Sequence, residues 1–114
     1  MAEFNPGNDE DKAYLAGALV AYALGLKAET ILSAERGTPV NARARHIAMY
    51  LAYAACGMSL ARVARAFGRD RSTVAHGCRL VEDYREDPDF DLWIEQLSQG
   101  LRSVAMLSAG EVEA

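Results

Sequence analysis

Ser59-Leu-Ala-Arg-Val-Ala-Arg-Ala-Phe-Gly-Arg-Asp-Arg-Ser-Thr-Val-Ala-His-Gly-Cys-Arg79 holds two short apolar-periodic segments that meet at Phe67-Gly68-Arg69-Asp70. A junction that tight predicts two helices crossing steeply, a helix-turn-helix. Ala64 is the small side chain that lets the second helix approach the first. Gly68, four residues on, suits a turn position with positive φ. Val74 supplies the apolar pin that roots the second helix in the core.

The arginines of this stretch belong to a larger basic block. From Arg36 to Arg85 there are nine arginines against Asp70, Glu82 and Asp83, a local charge of +6 inside a chain of net charge −4. The other residues carry three basic and thirteen acidic groups. Arginine is the side chain best shaped for forked contacts to phosphates and guanine edges. A solvated face is the alternative reading of any charge run, but this block is concentrated on one motif. The acidic flanks are expected to keep non-specific affinity modest, because affinity for DNA follows local phosphate neutralisation.

The chain's 114 residues suffice for one small core, so residues 1–114 read as a single domain with an ordered core over about 9–107. No apolar run approaches the ~18 residues that span a bilayer, and Met1-Ala-Glu-Phe-Asn-Pro-Gly7 lacks the pattern of an export signal. Cys56 and Cys78 have no metal-ligand spacing and read as small buried thiols.

No segment alternates with a period of two, so the expected fold is all-α: a compact bundle of five to six helices. Asn8 with Asp11 starts a first helix, on which Leu15, Leu19, Tyr22 and Leu26 share a face, and Gly25 ends it. That face reads as core, with a dimer surface as the alternative. A short second helix spans Ala28 to Ser33, offering Ile31 and Leu32, and Gly37-Thr38-Pro39 interrupts it. Asn41 is expected to cap a third helix over 42–56, with Ile47, Leu51 and Ala54 inward and Gly57 closing it. Ser59 caps the next, whose Leu60, Val63 and Phe67 face the core. The second helix of the motif runs over about 71–85. Pro88 breaks it, and Asp89 or Asp91 opens a last helix with Ile94, Leu97, Leu101 and Val104 on one stripe. The tail from Ser108 is expected to fray.

At about 100° per residue, Val74, Cys78 and Val81 fall on the buried side of the helix over 71–85, and Ser72, His76, Arg79 and Asp83 point away. The N-terminal turn of such a helix enters the major groove of double-stranded DNA. Arg71 and Ser72 are therefore the first candidates for base contacts, with Thr73, Ala75 and His76 behind them. Arginine forks onto guanine, and Ala75 suits a thymine methyl. Asp70 either caps the helix or accepts a hydrogen bond from a cytosine amino group. For His76, a phosphate contact or plain solvent exposure is preferred over base readout. Arg69 and Arg79 complete the cationic set.

Three segments resemble the C-terminal DNA-binding domain of the bacterial chromosomal replication initiator, DnaA. Val20-Ala-Tyr-Ala-Leu-Gly-Leu-Lys-Ala-Glu-Thr-Ile-Leu-Ser33 is similar to the helix, bend and short helix that lead into that domain. Val40-Asn-Ala-Arg-Ala-Arg-His-Ile-Ala-Met-Tyr-Leu-Ala52 is similar to its arginine-bearing third helix. Phe67-Gly-Arg-Asp-Arg-Ser-Thr-Val-Ala-His-Gly-Cys-Arg79 resembles the family signature, Gly-Arg-Asp-His-(Ser/Thr)-Thr-Val followed by a histidine and a small residue.

The resemblance implies that Arg43 reaches into the minor groove, and that Arg45, His46, Ser59 and Leu60 hold phosphates. It implies that Asp70, Ser72 and Thr73 read the major groove of a nine-base box. Three departures bear on this. Arg71 stands where the family has histidine, which shifts the expected base preference toward guanine. The turn lacks a residue beside Gly68. Ala44 replaces a frequent proline, leaving the start of the third helix less fixed.

No Gly-x-x-x-x-Gly-Lys-Ser/Thr loop occurs, so no nucleotide site is expected. No catalytic, metal-ligand or cofactor pattern occurs either, and the reading is non-enzymatic. The sequence thus points to a cytoplasmic, nucleoid-associated, sequence-specific binder of double-stranded DNA, acting as a monomer or weak homodimer in replication initiation or transcription. The alternative is a protein-interaction adaptor of the same machinery with weak or no specific DNA binding.

Overall fold

Helix starts in this chain are set by side-chain caps followed by good first-turn residues. Asn8 Oδ1 accepts from the Asp11 N–H at 2.8 Å and opens α1 (Asp9–Leu24). Ser59 Oγ accepts from the Arg62 N–H at 3.2 Å and opens α4 (Leu60–Phe67). Between them lie α2 (Ala28–Leu32) and α3 (Pro39–Ala54), and after them α5 (Arg71–Tyr84) and α6 (Pro88–Ser108). These come from a computed structural model, which describes residues 8–32 and 38–108. Among the described residues there is no strand, and the fold is an all-α bundle containing a helix-turn-helix.

Two helices start earlier than the sequence suggests, for one reason. Thr38, not Asn41, caps α3: its Oγ1 accepts from the Asn41 N–H at 3.2 Å, and Pro39 occupies the first turn. Likewise α6 begins at Pro88, with the Asp87 carboxylate accepting from the Asp89 N–H at 2.9 Å. Proline has no N–H to leave unsatisfied in a first turn and its φ already suits a helix, so both prolines start helices rather than block them. Pro39 also supplies the fixed entry that Ala44 does not. Gly37, Arg36 and Ser33 lie outside the described residues.

α3 is the hub of the molecule and packs on all five other helices. Ala44, Arg45, Ile47, Ala48, Met49, Tyr50, Leu51 and Ala52 are therefore all buried, on every side of the helix. Ala54, expected inward, is exposed at its end. The face of α1 also differs from expectation. Ala13, Ala16, Gly17, Val20 and Ala21 are buried, Leu15 and Leu19 are half-buried, and Tyr22 is 87% exposed. α1 is apolar nearly all round, so periodicity left its orientation open, and close packing on α3 selects the small residues. A methyl added at Gly17 would lie 2.8 Å from Leu32 Cδ2.

The motif itself matches expectation. Gly68 adopts φ 64°, and its N–H closes α4 onto the Ala64 and Arg65 carbonyls. Val63, Ala64, Phe67, Val74, Cys78 and Val81 join the core. On α6, Ile94 and Leu101 are buried and Leu97 is half-buried, while Val104 is 40% exposed. Both cysteines are free; burial pushes the Cys78 thiol up to about 11, leaving it protonated and unreactive. No helix among the described residues is long and apolar enough to cross a membrane.

Candidate nucleic-acid interface

The second helix of the motif has one buried side and one exposed side. Val74, Gly77, Cys78 and Val81 are buried, and Arg71, Ser72, Thr73, His76 and Arg79 are all exposed. The exposed set forms a stripe of hydroxyl, imidazole and guanidinium groups along α5, starting at its N-terminus. Ala75 lies at the edge of this stripe. It is half-buried in a shallow groove beside Leu60, Tyr53 and Arg79.

Asp70 is the N-cap residue of α5 by backbone geometry, with φ −70° and ψ 147°, yet its side chain makes no cap hydrogen bond. A capping Asp is worth about 1 kcal/mol to a helix. The exposed carboxylate forgoes that bond and leaves the first N–H groups of α5 to other acceptors. Next to it, Arg69 lies across the end of α4, its Nη1 donating to the Phe67 and Gly68 carbonyls at 3.5 and 3.4 Å.

A cleft of about 500 Å³ separates this turn from α3, lined by Arg45, His46, Met49, Gly68, Arg69, Asp70 and Thr73. His46 forms its wall and touches α5 at Gly77, where an added methyl would lie 2.9 Å from the imidazole Cδ2. Burial first, then the neighbouring His76 and Arg45 charges, holds the His46 pKa below its ordinary 6.5. The imidazole is thus kept neutral at neutral pH.

The two arginines of α3 separate in role. Arg45, expected on phosphates, is only 6% exposed. Its Nε donates to the Ile31 carbonyl at 2.9 Å and its Nη2 to the Thr30 carbonyl at 3.4 Å, tying α2 to α3. A guanidinium held by two backbone carbonyls serves the fold, and it also lines the cleft beside Arg69 and Thr73. Arg43 is exposed, and its guanidinium carbon sits 4.3 Å over the Tyr84 ring at the far end of α5.

Arg85 and Arg62, counted in the basic block, are likewise structural. Arg85 reaches Asp91 at 2.5 Å, Glu95 at 2.6 Å and the Tyr50 hydroxyl at 2.8 Å, fastening α6 to α5 and α3. Arg62 pairs with Asp9 at 2.5 Å, joining α4 to the start of α1, and that hydrogen bond lowers the Asp9 pKa. Ser59 and Leu60 sit at the start of α4, with Ser59 exposed and its hydroxyl engaged as the cap. Sequence reading missed Tyr84 as a partner of Arg43 and the contact of His46 with Gly77. A glycine in mid-helix, costing about 1 kcal/mol relative to alanine, was the available signal for the second.

A tight helix-turn-helix with a polar and cationic second helix, set on a hub helix carrying further arginines, defines a helix-turn-helix recognition domain. Residues 17–81 match the family described as the bacterial dnaA protein helix-turn-helix, and the chain belongs to that family. It is similar to the chromosomal replication initiator protein DnaA of Aquifex aeolicus, 44% identical over 68 residues, which are 59% of this chain and 17% of that protein. The corresponding initiator of Laribacter hongkongensis is 44% identical over 64 residues, 54% of this chain and 13% of its own. A crystal structure of a DNA replication initiation factor superposes with a TM-score of 0.75 at 35% identity, over 85% of this chain and 30% of that one. A replication initiator DnaA bound to AMPPCP and single-stranded DNA superposes at 0.70 with 34% identity, over 83% and 29%. The chain thus spans less than a third of the length of these relatives.

Proposed function

We propose that this domain binds double-stranded DNA sequence-specifically and acts in replication initiation or transcription, in the cytoplasm at the nucleoid. The observation that carries the reading is the exposed stripe Arg71, Ser72, Thr73, His76 and Arg79, backed by a fully buried opposite face. In this reading the first turn of α5 enters the major groove. Arg71 and Ser72 take base edges, and Thr73 and Ala75 lie close behind them. The Asp70 carboxylate, uncommitted to a cap, meets an amino donor such as cytosine N4. Arg69, His76 and Arg79 lie toward the phosphates, and so does His46 at the wall of the cleft. The N–H groups at Ser59 and Leu60 provide a further phosphate contact, since a helix start attracts anions.

Arg43 takes the neighbouring minor groove. From Arg71 to Tyr84, beneath Arg43, α5 runs roughly 20 Å at 1.5 Å per residue. Arg43 therefore stands about that far along α5 from the turn that enters the major groove. Contacts in both grooves let one copy hold a site, so a monomer suffices and a homodimer is at most weak. The domain works without nucleotide, cofactor or catalysis.

One observation favours a protein-adaptor reading: the apolar groove of about 380 Å³ lined by Leu24, Val40, Ile47, Phe90 and Trp93, with Arg43 at its edge. Fluorescence anisotropy separates the two, with labelled duplexes carrying the initiator's nine-base box or a scrambled box across a salt series. Specific recognition predicts affinity that falls steeply with salt and a preference of about a hundredfold for the box. Equal affinity for both duplexes removes the assignment to initiator sites. No binding even at low salt overturns the DNA reading in favour of the adaptor.

A further inference from the structure

We propose that Tyr84 is the positioning residue for Arg43: its ring is the platform that holds this guanidinium aimed at DNA, an inference that rests on the DNA-binding reading above. The Arg43 guanidinium carbon lies 4.3 Å from the Tyr84 ring centroid, within cation–π contact. The ring is itself held. Phe90 meets it edge-on, with centroids 5.7 Å apart and planes at 78°, and Trp93 packs on Phe90 at 5.7 Å and 51°. A column of aromatics therefore runs from α6 through the last residue of α5 to an arginine near the start of α3.

The chemistry of a stacked guanidinium explains why this matters for DNA. A guanidinium held over a ring engages the ring's π face and keeps its N–H donors for other acceptors. A free arginine side chain loses several rotamers when it docks; one already fixed on a ring loses fewer, and the affinity gain is that of preorganisation. Arg43 is exposed, and no ion pair ties it to a neighbouring carboxylate among those the structure describes. The ring thus restrains the group without neutralising it. Arg45, two residues away, is fixed by backbone carbonyls and is not available for this role.

A double-mutant cycle on the full chain tests the assignment, with specific-duplex affinity read by anisotropy and folding by circular dichroism. Tyr84→Leu should weaken binding about two- to tenfold, Tyr84→Phe should stay within about twofold of wild type, and Tyr84→Leu should add nothing in an Arg43→Ala background. Wild-type chain gives a second readout that needs no variant. The Arg43 Nε–H resonance should be shielded by the ring, and the shielding should persist when duplex is added. Tighter or unchanged binding by Tyr84→Leu, an undiminished effect without Arg43, or loss of the shielding on duplex addition overturns the platform role. Failure of the wild-type chain to bind any duplex overturns the parent reading instead, so the two failures are distinguishable.

Discussion

Glycines 17 and 77 both sit inside helices against a neighbour, and the neighbour decides what each tolerates. At Gly77 an added methyl meets the His46 imidazole at 2.9 and 3.2 Å, a ring wedged between α3 and α5. Overpacking there costs about 1–3 kcal/mol, more than the roughly 1 kcal/mol alanine gains over glycine in a helix. Gly77→Ala should therefore lower the melting temperature. At Gly17 the nearest atom is a terminal methyl of Leu32, which can swing aside. Gly17→Ala should be neutral or stabilising, and a matched loss in both variants would contradict this distinction. Arg71→Ala, on the exposed side of α5, should leave the melting temperature in place and weaken specific duplex binding by about 1–3 kcal/mol. The positions with a single physical demand were legible in the sequence: Gly68 for positive φ, Val74 for burial, Ser59 for a cap. Asp70 was not, because its backbone is that of a cap while its carboxylate is not used as one.

At the scale of elements, α3 carries an exposed and a buried arginine two residues apart, Arg43 and Arg45. Arg45→Ala removes a buried guanidinium from the Thr30 and Ile31 carbonyls and should destabilise the fold by about 2–3 kcal/mol as α2 loosens. Arg43→Ala should leave stability near wild type and weaken duplex binding. Thermal melts and anisotropy on the two variants check this, and exchanged phenotypes would refute the division of roles between them. The sequence showed that α3 carries arginines but not which of them turns inward, because burial on every side of a hub helix erases the amphipathic pattern that orients a helix. The same limit applies to α1, where leucines spaced at helical intervals outlined a face that the smaller residues own. Helix starts were misplaced at Pro39 and Pro88 because proline reads as a breaker unless the residue before it is recognised as a cap.

For the whole molecule, three arginines of the basic block, Arg45, Arg62 and Arg85, hold helices together, while Arg43, Arg71 and Arg79 stay exposed. Stability should also follow pH through His46. The fold depresses its pKa below 6.5, so the unfolded chain takes up the proton first. The contribution of neutral His46 is present above that pH and lost as pH falls through it. The melting temperature should decline from about pH 7.5 to 5.5, less so in His46→Gln; equal slopes would remove His46 as the cause. The most direct test of the central claim is a chemical-shift map of the backbone amides on addition of a specific duplex. Perturbations should gather at residues 70–73, 76 and 79, with Arg43, which also borders the apolar groove, moving together with them and the outer face of α1 unmoved. Perturbations confined to the apolar groove around Leu24, Val40 and Trp93, with the start of α5 silent, would contradict recognition of DNA through this helix.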